Sequence, residues 1–549
     1  MEKKIAFPIS FSVALILAWW LHPLPFEPSD LWGYSVRAYS FVSPEVDKIT
    51  DGHIFSQRLS TYVPVGVFYS IVGVSMEATT LWPLTAMVGI VWGLWYSGIS
   101  LEEKIISCLL AITSLPFFFQ FTTLRPDIFV SFSCLIFFII LSKRGKTGNI
   151  FASTLLVAGV LYFGAFAKLS IYWAGAVWLV IAAEDVYVGR WSETKRIHTS
   201  VIIGGLIALI AYLVTCQAVW GNPLARLEGL ESVSGSHLWS WNEKTFAEKV
   251  KRLTYGPLWT FVTAYGPLFP FTVGGLLMWR KGVRFWDKAL LTILLLYWFG
   301  TTSPSMYEPL PAVSRMILPA FPLMCITAGS FIWNDLLSRE TATSQQLISF
   351  AVVSVLLVLN LLTNLGSKVQ LLSSGLALTA IGVRFLPSLP APKWIKIAKL
   401  NNLNALISTI ALAGAVAVTP SARFLVDHLG RPDAEKGAMT LVTGRLLNQQ
   451  VILLTGDQRS PNHLNFYYDY SYPSSLTVRY AESRENIVSM CDSRDKNTEV
   501  LFMYNRGMSE FLQKAYGREF VSADQIEKMY ERKLFDQGKI SIFRICGGS

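Results

Sequence analysis

Long apolar runs separated by short polar stretches fill the chain from its start to about residue 420, and a mixed pattern follows. The first run, from about Ile5 to Leu24, stands behind Lys3 and Lys4. It is too long for the apolar core of a signal peptide and no small-residue cleavage site follows it, so it reads as an anchor with a cytoplasmic N-terminus. A second span runs from about Leu81 to Gly98. Further runs fall near 104–120, 126–142, 150–166, 169–183, 199–220, 258–279, 288–303, 316–334, 348–364, 370–386 and 404–420. At roughly twenty residues per crossing the pattern predicts about thirteen spans. Between the first two, TYVPVGVFYSIVG is apolar but too short to cross and contains Pro64, which places it in the interface or in a re-entrant loop.

The tail, about 421–549, changes period. Strand-like segments (QVILLTG, NFYYDY, SLTVRY, EVLFMYN, KISIFRIC) alternate with helix-like ones (MSEFLQKAY, ADQIEKMYERKLF), which predicts a small α/β domain following a transmembrane domain over 1–420. The polar stretch Pro25–Asp51 interrupts the membrane pattern early. Ser29 can cap a helix that begins at Asp30, and Asp30, Gly33, Tyr34 and Arg37 then share one polar face at the membrane surface. The plainer reading of Asp30 is that it only favours a helix N-terminus.

Composition agrees with the pattern: of 549 residues 52% are hydrophobic and 15% charged, which excludes an ordinary soluble protein. The net charge of +10 resides in short clusters between apolar runs, a mark of cytoplasmic loops and not of a nucleic-acid footprint. Four such clusters (Lys143, Arg144 and Lys146; Arg190, Lys195 and Arg196; Arg280, Lys281, Arg284 and Lys288; Lys393, Lys396 and Lys399) fall on the side of Lys3 and Lys4. An odd number of spans then puts the tail outside the cell. Cys108, Cys134, Cys216 and Cys325 lie inside apolar runs as small hydrophobes, whereas Cys491 and Cys546 share the oxidising side, where a disulfide between them or two free thiols are the alternatives.

Charge in or beside membrane spans marks function. At the outer face gather Asp30, Arg37, Asp51, His53, Arg58, Arg125, Asp127, Lys168, the loop 221–256, Glu308 and Arg315, which come from distant loops and predict a cavity there. Each has a duller reading. Arg125 and Asp127 flank Pro126 as a helix start with its own ion pair. Lys168 and Arg315 can snorkel to headgroups, and His53 beside Asp51 is a surface histidine or a faint metal signal. No phosphate-binding glycine loop, zinc-protease helix motif, nucleophile elbow or CxxC pair occurs.

Four stretches together carry a resemblance: SDLWGY, RLSTYVPVGVFYSIVG ending at Gly73, LRPDIF at the fourth span and SRMILPAFP at the tenth. Their arrangement resembles the GT-C membrane glycosyltransferases, in the branch of protein O-mannosyltransferases and lipid A aminoarabinose transferases, and HLNFYYDY is similar to the tail domain of the latter. Two departures stand out: Leu31 follows Asp30 where the family often pairs acidic residues, and Arg58 has no adjacent proline.

The resemblance implies an enzyme of the plasma (inner) membrane that moves one sugar from a polyprenyl-phosphate donor to a lipid, glycan or protein acceptor at the outer face, with inversion. No cofactor is implied, a divalent metal stays open, membrane lipids are partners and nucleic acid is not. A departing phosphate needs cations, for which Arg58, Arg125, Lys168 and Arg315 are candidates. Asp30 is the candidate base and Asp127 its support, with Tyr34, Arg37, Tyr62 and Glu308 as substrate contacts. A polysaccharide polymerase or ligase is the alternative; a transporter or flippase would place its ionisable residues near mid-membrane and show internal repeats.

Overall fold

The computed structural model describes residues 2–21, 30–43, 49–50, 53–114, 117, 120, 123–143, 149–234, 241–242, 244–278, 284–301, 307, 309–310, 314–337, 343–363, 368–384, 407, 410–412, 434–447, 449–455, 473–481, 487, 489, 491, 497–505, 532–537 and 540–545. They form two compact units: Met1–Leu21, Ile49–Pro64 and Thr80–Val426 in one, His22–Lys48, Val65–Thr79 and Asp427–Ser549 in the other.

The helices are α1 (Glu2–Leu21), α2 (Asp30–Tyr39), α3 (Leu59–Val72), α4 (Met76–Trp95), α5 (Leu101–Thr113), α6 (Pro126–Ser142), α7 (Ile150–Ala167), α8 (Tyr172–Tyr187), α9 (Trp191–Trp220), α10 (Ala225–Ser234), α11 (Phe246–Leu253), α12 (Gly256–Tyr265), α13 (Leu268–Leu277), α14 (Phe285–Phe299), α15 (Phe321–Phe331), α16 (Ser344–Thr363), α17 (Lys368–Arg384) and α18 (Ala434–Leu446). Among the described residues six helices are long and apolar enough to cross a bilayer, and a seventh crossing arises if the bent pair α12 and α13 counts as one. Ile5–Trp20, Leu59–Val72, Pro126–Ser142 and Leu372–Arg384 are shorter apolar helices. The chain is a polytopic helical membrane protein that also carries a small sheet.

Local chemistry explains the helix limits. Ser100 and Glu103 form a reciprocal capping box at the start of α5. Asn149 accepts from the Phe151 and Ala152 amides ahead of α7. Pro126 occupies the first turn of α6, where its missing N–H costs nothing, and Asp127 beside it suits the positive end of the helix. Pro64 lies inside α3 and cannot donate to the Ser60 carbonyl four residues back. Trp82 Nε1 on α4 donates to that oxygen at 2.9 Å, so the helix continues through the proline.

Several expectations change. The run 258–279 is not one straight span but two helices bent by 120°, parted at Gly266, whose φ of 52° a side chain would resist, and Pro267. The run expected at 199–220 begins earlier, because α9 extends back to Trp191 and carries Lys195 and Arg196 on a helix instead of a loop. The run 404–420 lies mostly outside the described residues.

Buried polar networks tie the helices together where the sequence showed only orientation markers. Glu103 accepts from the Ser100 amide at 2.9 Å, from Asn334 Nδ2 at 2.7 Å and from Ser330 Oγ, and Arg284 Nη1 lies 3.4 Å away. Arg284 also pairs with Asp287 at 3.2 Å, and Asp287 accepts from Thr327 Oγ1 at 2.7 Å. Burial pushes the Glu103 carboxyl up, but the hydrogen bonds from Ser330 and Ser100, the Arg284 charge and the Asn334 amide together hold it below the usual glutamate value. Lys288 pairs with Glu184, and Asp185 takes both Arg190 and His198, each at 3.1 Å. Helices approach closely where side chains are absent: a Cβ on Gly275 would lie 2.7 Å from the Thr327 carbonyl.

In the second unit the sheet order is β2-β1-β3-β5-β4, with β1 (Gln450–Thr455), β2 (Leu476–Tyr480), β3 (Thr498–Asn505), β4 (Arg532–Gln537) and β5 (Ile540–Arg544). β1 pairs in parallel with β2 and β3, and β5 runs antiparallel to both β3 and β4. Alternation along the strands sends Val451, Leu453, Leu501, Met503 and Ile542 to one face, where Ala438, Met439 and Val442 of α18 cover them. Leu454, Val500, Phe502 and Phe543 fill the other. Four expected strands are present; the end of ADQIEKMYERKLF, expected helical, is strand β4, and NFYYDY and MSEFLQKAY lie outside the described residues. Cys491 is disulfide-bonded; Cys546 lies outside the described residues.

Candidate active site

The first unit collects a charged cluster from four separate stretches of chain. Lys168 closes α7 in extended backbone and is followed by the short 3-10 turn Leu169–Ile171. Its ammonium lies 2.8 Å from Asp127 Oδ1 in the first turn of α6 and 2.7 Å from Met316 Sδ. Both side chains are nearly enclosed, with 16% of Lys168 and 4% of Asp127 exposed. The charges acting on Asp127 are those of Lys168, Arg315 and Arg58. Arg315 stands at the start of the 3-10 segment Ser314–Ala320 that leads into α15, and Arg58 immediately precedes α3.

Lys168 therefore does not snorkel to headgroups. It sits between two apolar spans, where burial lowers its ammonium pKa, Asp127 opposes that, and the like charges of Arg58 and Arg315 add to the lowering. Asp127 is bound by Lys168 and not by Arg125, so the expected local ion pair at the helix start is absent, although the helix does start there. Arg125 is the residue just before α6, partly exposed, with no side-chain bond to that helix's first turn.

Other side chains set the geometry. Arg226 on α10 is buried and donates to the carbonyls of Gln57 at 2.9 Å, Ala165 at 2.6 Å and Ala167 at 3.3 Å, which pins the residues preceding both Arg58 and Lys168. Tyr62 is wholly buried and its hydroxyl donates to the Ser56 carbonyl at 2.7 Å, bracing the same turn. Tyr265, at the bend between α12 and α13, is buried, within electrostatic reach of Asp127, and packs against Phe321 with ring centres 6.2 Å apart. Neither Arg226 nor Tyr265 was singled out by sequence; a tyrosine next to a Gly-Pro break in an apolar run is the signal that could have found the latter.

The remaining candidates are placed as follows. Asp30 opens α2. Tyr34 and Arg37 are buried on that helix, and Arg37 Nη1 donates to the Gly33 carbonyl at 2.7 Å. The expected polar surface face of α2 is thus a buried one at Gly33, Tyr34 and Arg37. His53 is exposed and its Nδ1 accepts from the Phe55 amide at 3.2 Å. Asp51 and Glu308 lie outside the described residues. Among the described residues no three His, Cys, Asp or Glu side chains converge as a metal site.

The fold as a whole can be compared with solved structures. The crystal structure of ArnT from Cupriavidus metallidurans in the apo state matches with a TM-score of 0.54 at 13% identity, over 97% of each chain. The chain has the GT-C fold. A second GT-C structure, the same ArnT bound to undecaprenyl phosphate, matches with a TM-score of 0.54 at 11% identity, again over 97% of each chain. No family profile matches the sequence, and no curated protein matches it either.

Proposed function

We propose that this GT-C chain is a glycosyltransferase that moves a sugar from a polyprenyl-phosphate carrier to a lipid, glycan or protein acceptor at the outer membrane face. One observation carries the reading: among the described residues the charges of Lys168, Arg315 and Arg58 all act on Asp127, which Lys168 holds at 2.8 Å in a largely enclosed place beside membrane helices. Two arginines and a lysine gathered from separate stretches of chain suit an anionic substrate, and a lipid phosphate is one that reaches them without leaving the bilayer. That a protein of the same fold was solved with undecaprenyl phosphate supports this choice of anion.

The chemistry suits the cluster. The leaving group is a phosphate, weakly basic, so the transition state needs cations near the departing oxygen more than it needs a proton donor. Arg58 and Arg315 offer forked donors for phosphate oxygens, with Arg125 as a further donor, while Lys168, held by Asp127, presents a fixed point charge. Asp30 is the base that takes the acceptor proton, and attack from the face opposite the phosphate inverts the anomeric carbon. Tyr34, Arg37 and Glu308 contact substrate. About thirteen spans, a cytoplasmic N-terminus and an extracytoplasmic domain over 421–549 closed by a Cys491–Cys546 disulfide complete the reading.

Binding of undecaprenyl phosphate to the solubilised full chain tests it. Wild type should bind, and the Arg58→Ala and Arg315→Ala variants should each bind roughly tenfold or more weakly, as expected for a lost charge-assisted contact. Equal binding by all three proteins would remove the cluster from the donor site.

A further inference from the structure

A crevice of about 700 Å³ lies between α4, α6, α7 and α9, away from the charged cluster at Asp127. Gly89 and Gly93 of α4 line one wall and let α6 approach closely, a Cβ on Gly89 falling 2.5 Å from the Phe132 ring, while Phe132, Ile136 and Ile139 of α6 line the adjoining wall. Ile150 and Leu156 of α7 line the opposite edge and are half exposed on the outer surface of the helices, so the crevice opens toward lipid. At one end its walls change character: Lys143, at the close of α6, and Arg196, in the second turn of α9, both exposed, stand at the mouth. Neither has a carboxylate partner among the described residues, and no acidic side chain lines the crevice.

Length and charge define an occupant. From Lys143 back to Phe132 the wall of α6 runs along about 16 Å of helix. That is about half of the ~30 Å hydrocarbon thickness, so the apolar groove is one leaflet deep with its cations at the headgroup level. A volume of about 700 Å³ falls within the ~300–1,000 Å³ of pockets that enclose a single small ligand. An unbranched acyl chain fits that depth; a polyprenyl chain is far longer than one leaflet. Two cations and no anion favour a headgroup with net negative charge over a zwitterionic one, whose own ammonium would meet them.

We propose that this crevice binds an acyl chain of an anionic glycerophospholipid, with Lys143 and Arg196 holding its phosphate. The positive-inside bias of the chain assigns that mouth to the cytoplasmic leaflet, opposite the proposed transfer site. The lipid packs α4, α6, α7 and α9 against one another from outside, as a bound cofactor would. The inference stands apart from the glycosyltransferase reading, because none of its residues belongs to the Asp127 cluster.

The test is native mass spectrometry of the full chain released from mixed micelles holding equal amounts of phosphatidylglycerol and phosphatidylcholine. Wild type should retain phosphatidylglycerol over phosphatidylcholine by roughly tenfold or more, as two interfacial cations predict. The Lys143→Ala/Arg196→Ala double variant should bind the two lipids about equally. Ala152→Phe, at an exposed lining position, should reduce retention of both without unfolding the protein. No preference in wild type, an unchanged preference in the double variant, or full retention in Ala152→Phe would each overturn the proposal. So would displacement of phosphatidylglycerol by equimolar undecaprenyl phosphate, which would make the crevice a carrier site.

Discussion

Lys168 Nζ lies 2.8 Å from Asp127 Oδ1, forty-one positions earlier in the chain, and so joins the end of one apolar helix to the first turn of another. Each charge would be expensive to bury alone, and each is the reason the other can be there. Removing one partner therefore does more harm than removing both. Lys168→Ala and Asp127→Ala should each lower stability by about 3–5 kcal/mol, with the double variant less affected than the sum of the two. Thermal unfolding of the solubilised variants, arranged as a double-mutant cycle, measures the coupling.

Arg226 touches neither Asp127 nor Lys168, yet it binds the carbonyls of Gln57, Ala165 and Ala167, which precede two of the proposed phosphate ligands. Arg226→Ala should displace both ligands and reduce transfer by about a hundredfold, the scale of a misplacement near 1 Å. Arg226→Lys, with one point charge in place of a fork, should recover only part of that. Initial rates at varied donor concentration in membranes decide it.

Pro64 and Trp82 form a compensated pair, because the indole N–H replaces the amide that the proline lacks. Trp82→Phe should leave the Ser60 carbonyl without its donor and cost about 1–3 kcal/mol. Pro64→Ala restores a backbone N–H to that carbonyl, so the double variant should lose less hydrogen-bonding stability than Trp82→Phe alone. Unfolding midpoints of the three variants give the comparison.

Glu103 lies just outside the apolar run of α5, and its carboxyl is held below the ordinary value of 4.5. The stabilisation from its ionised form is fully present above that ordinary value and is lost as pH falls through the lower folded value. Acid unfolding of wild type should therefore be steeper below about pH 4.5 than that of Glu103→Gln, which removes the titration. Circular dichroism against pH on the two solubilised proteins supplies the test.

Much of this was legible in the sequence for identifiable reasons. Spans announce themselves by hydropathy, and Pro126 with Asp127 marks a helix start from local rules alone. β1, β2, β3 and β5 follow from short apolar segments between turns. What stayed hidden was nonlocal. Nothing near Lys168 in the chain names Asp127 as its partner, and Arg284 and Lys288 looked like orientation markers although both enter helix-to-helix networks. The bend at Gly266 was missed because mean hydropathy registers apolar length and is blind to a two-residue break. Arg226 was lost among the charges of a long loop, since only the folded chain shows which carbonyls it meets.

The most direct measurement is transfer of labelled sugar from a panel of polyprenyl-phosphate sugars in membranes, comparing wild type, Asp30→Asn and Lys168→Ala at matched expression. The account predicts transfer by wild type from at least one donor, with a loss of about 10²- to 10⁴-fold in Asp30→Asn and a marked loss in Lys168→Ala. Transfer by Asp30→Asn at the wild-type rate would contradict the base assignment. No transfer by wild type from any donor would contradict the function itself.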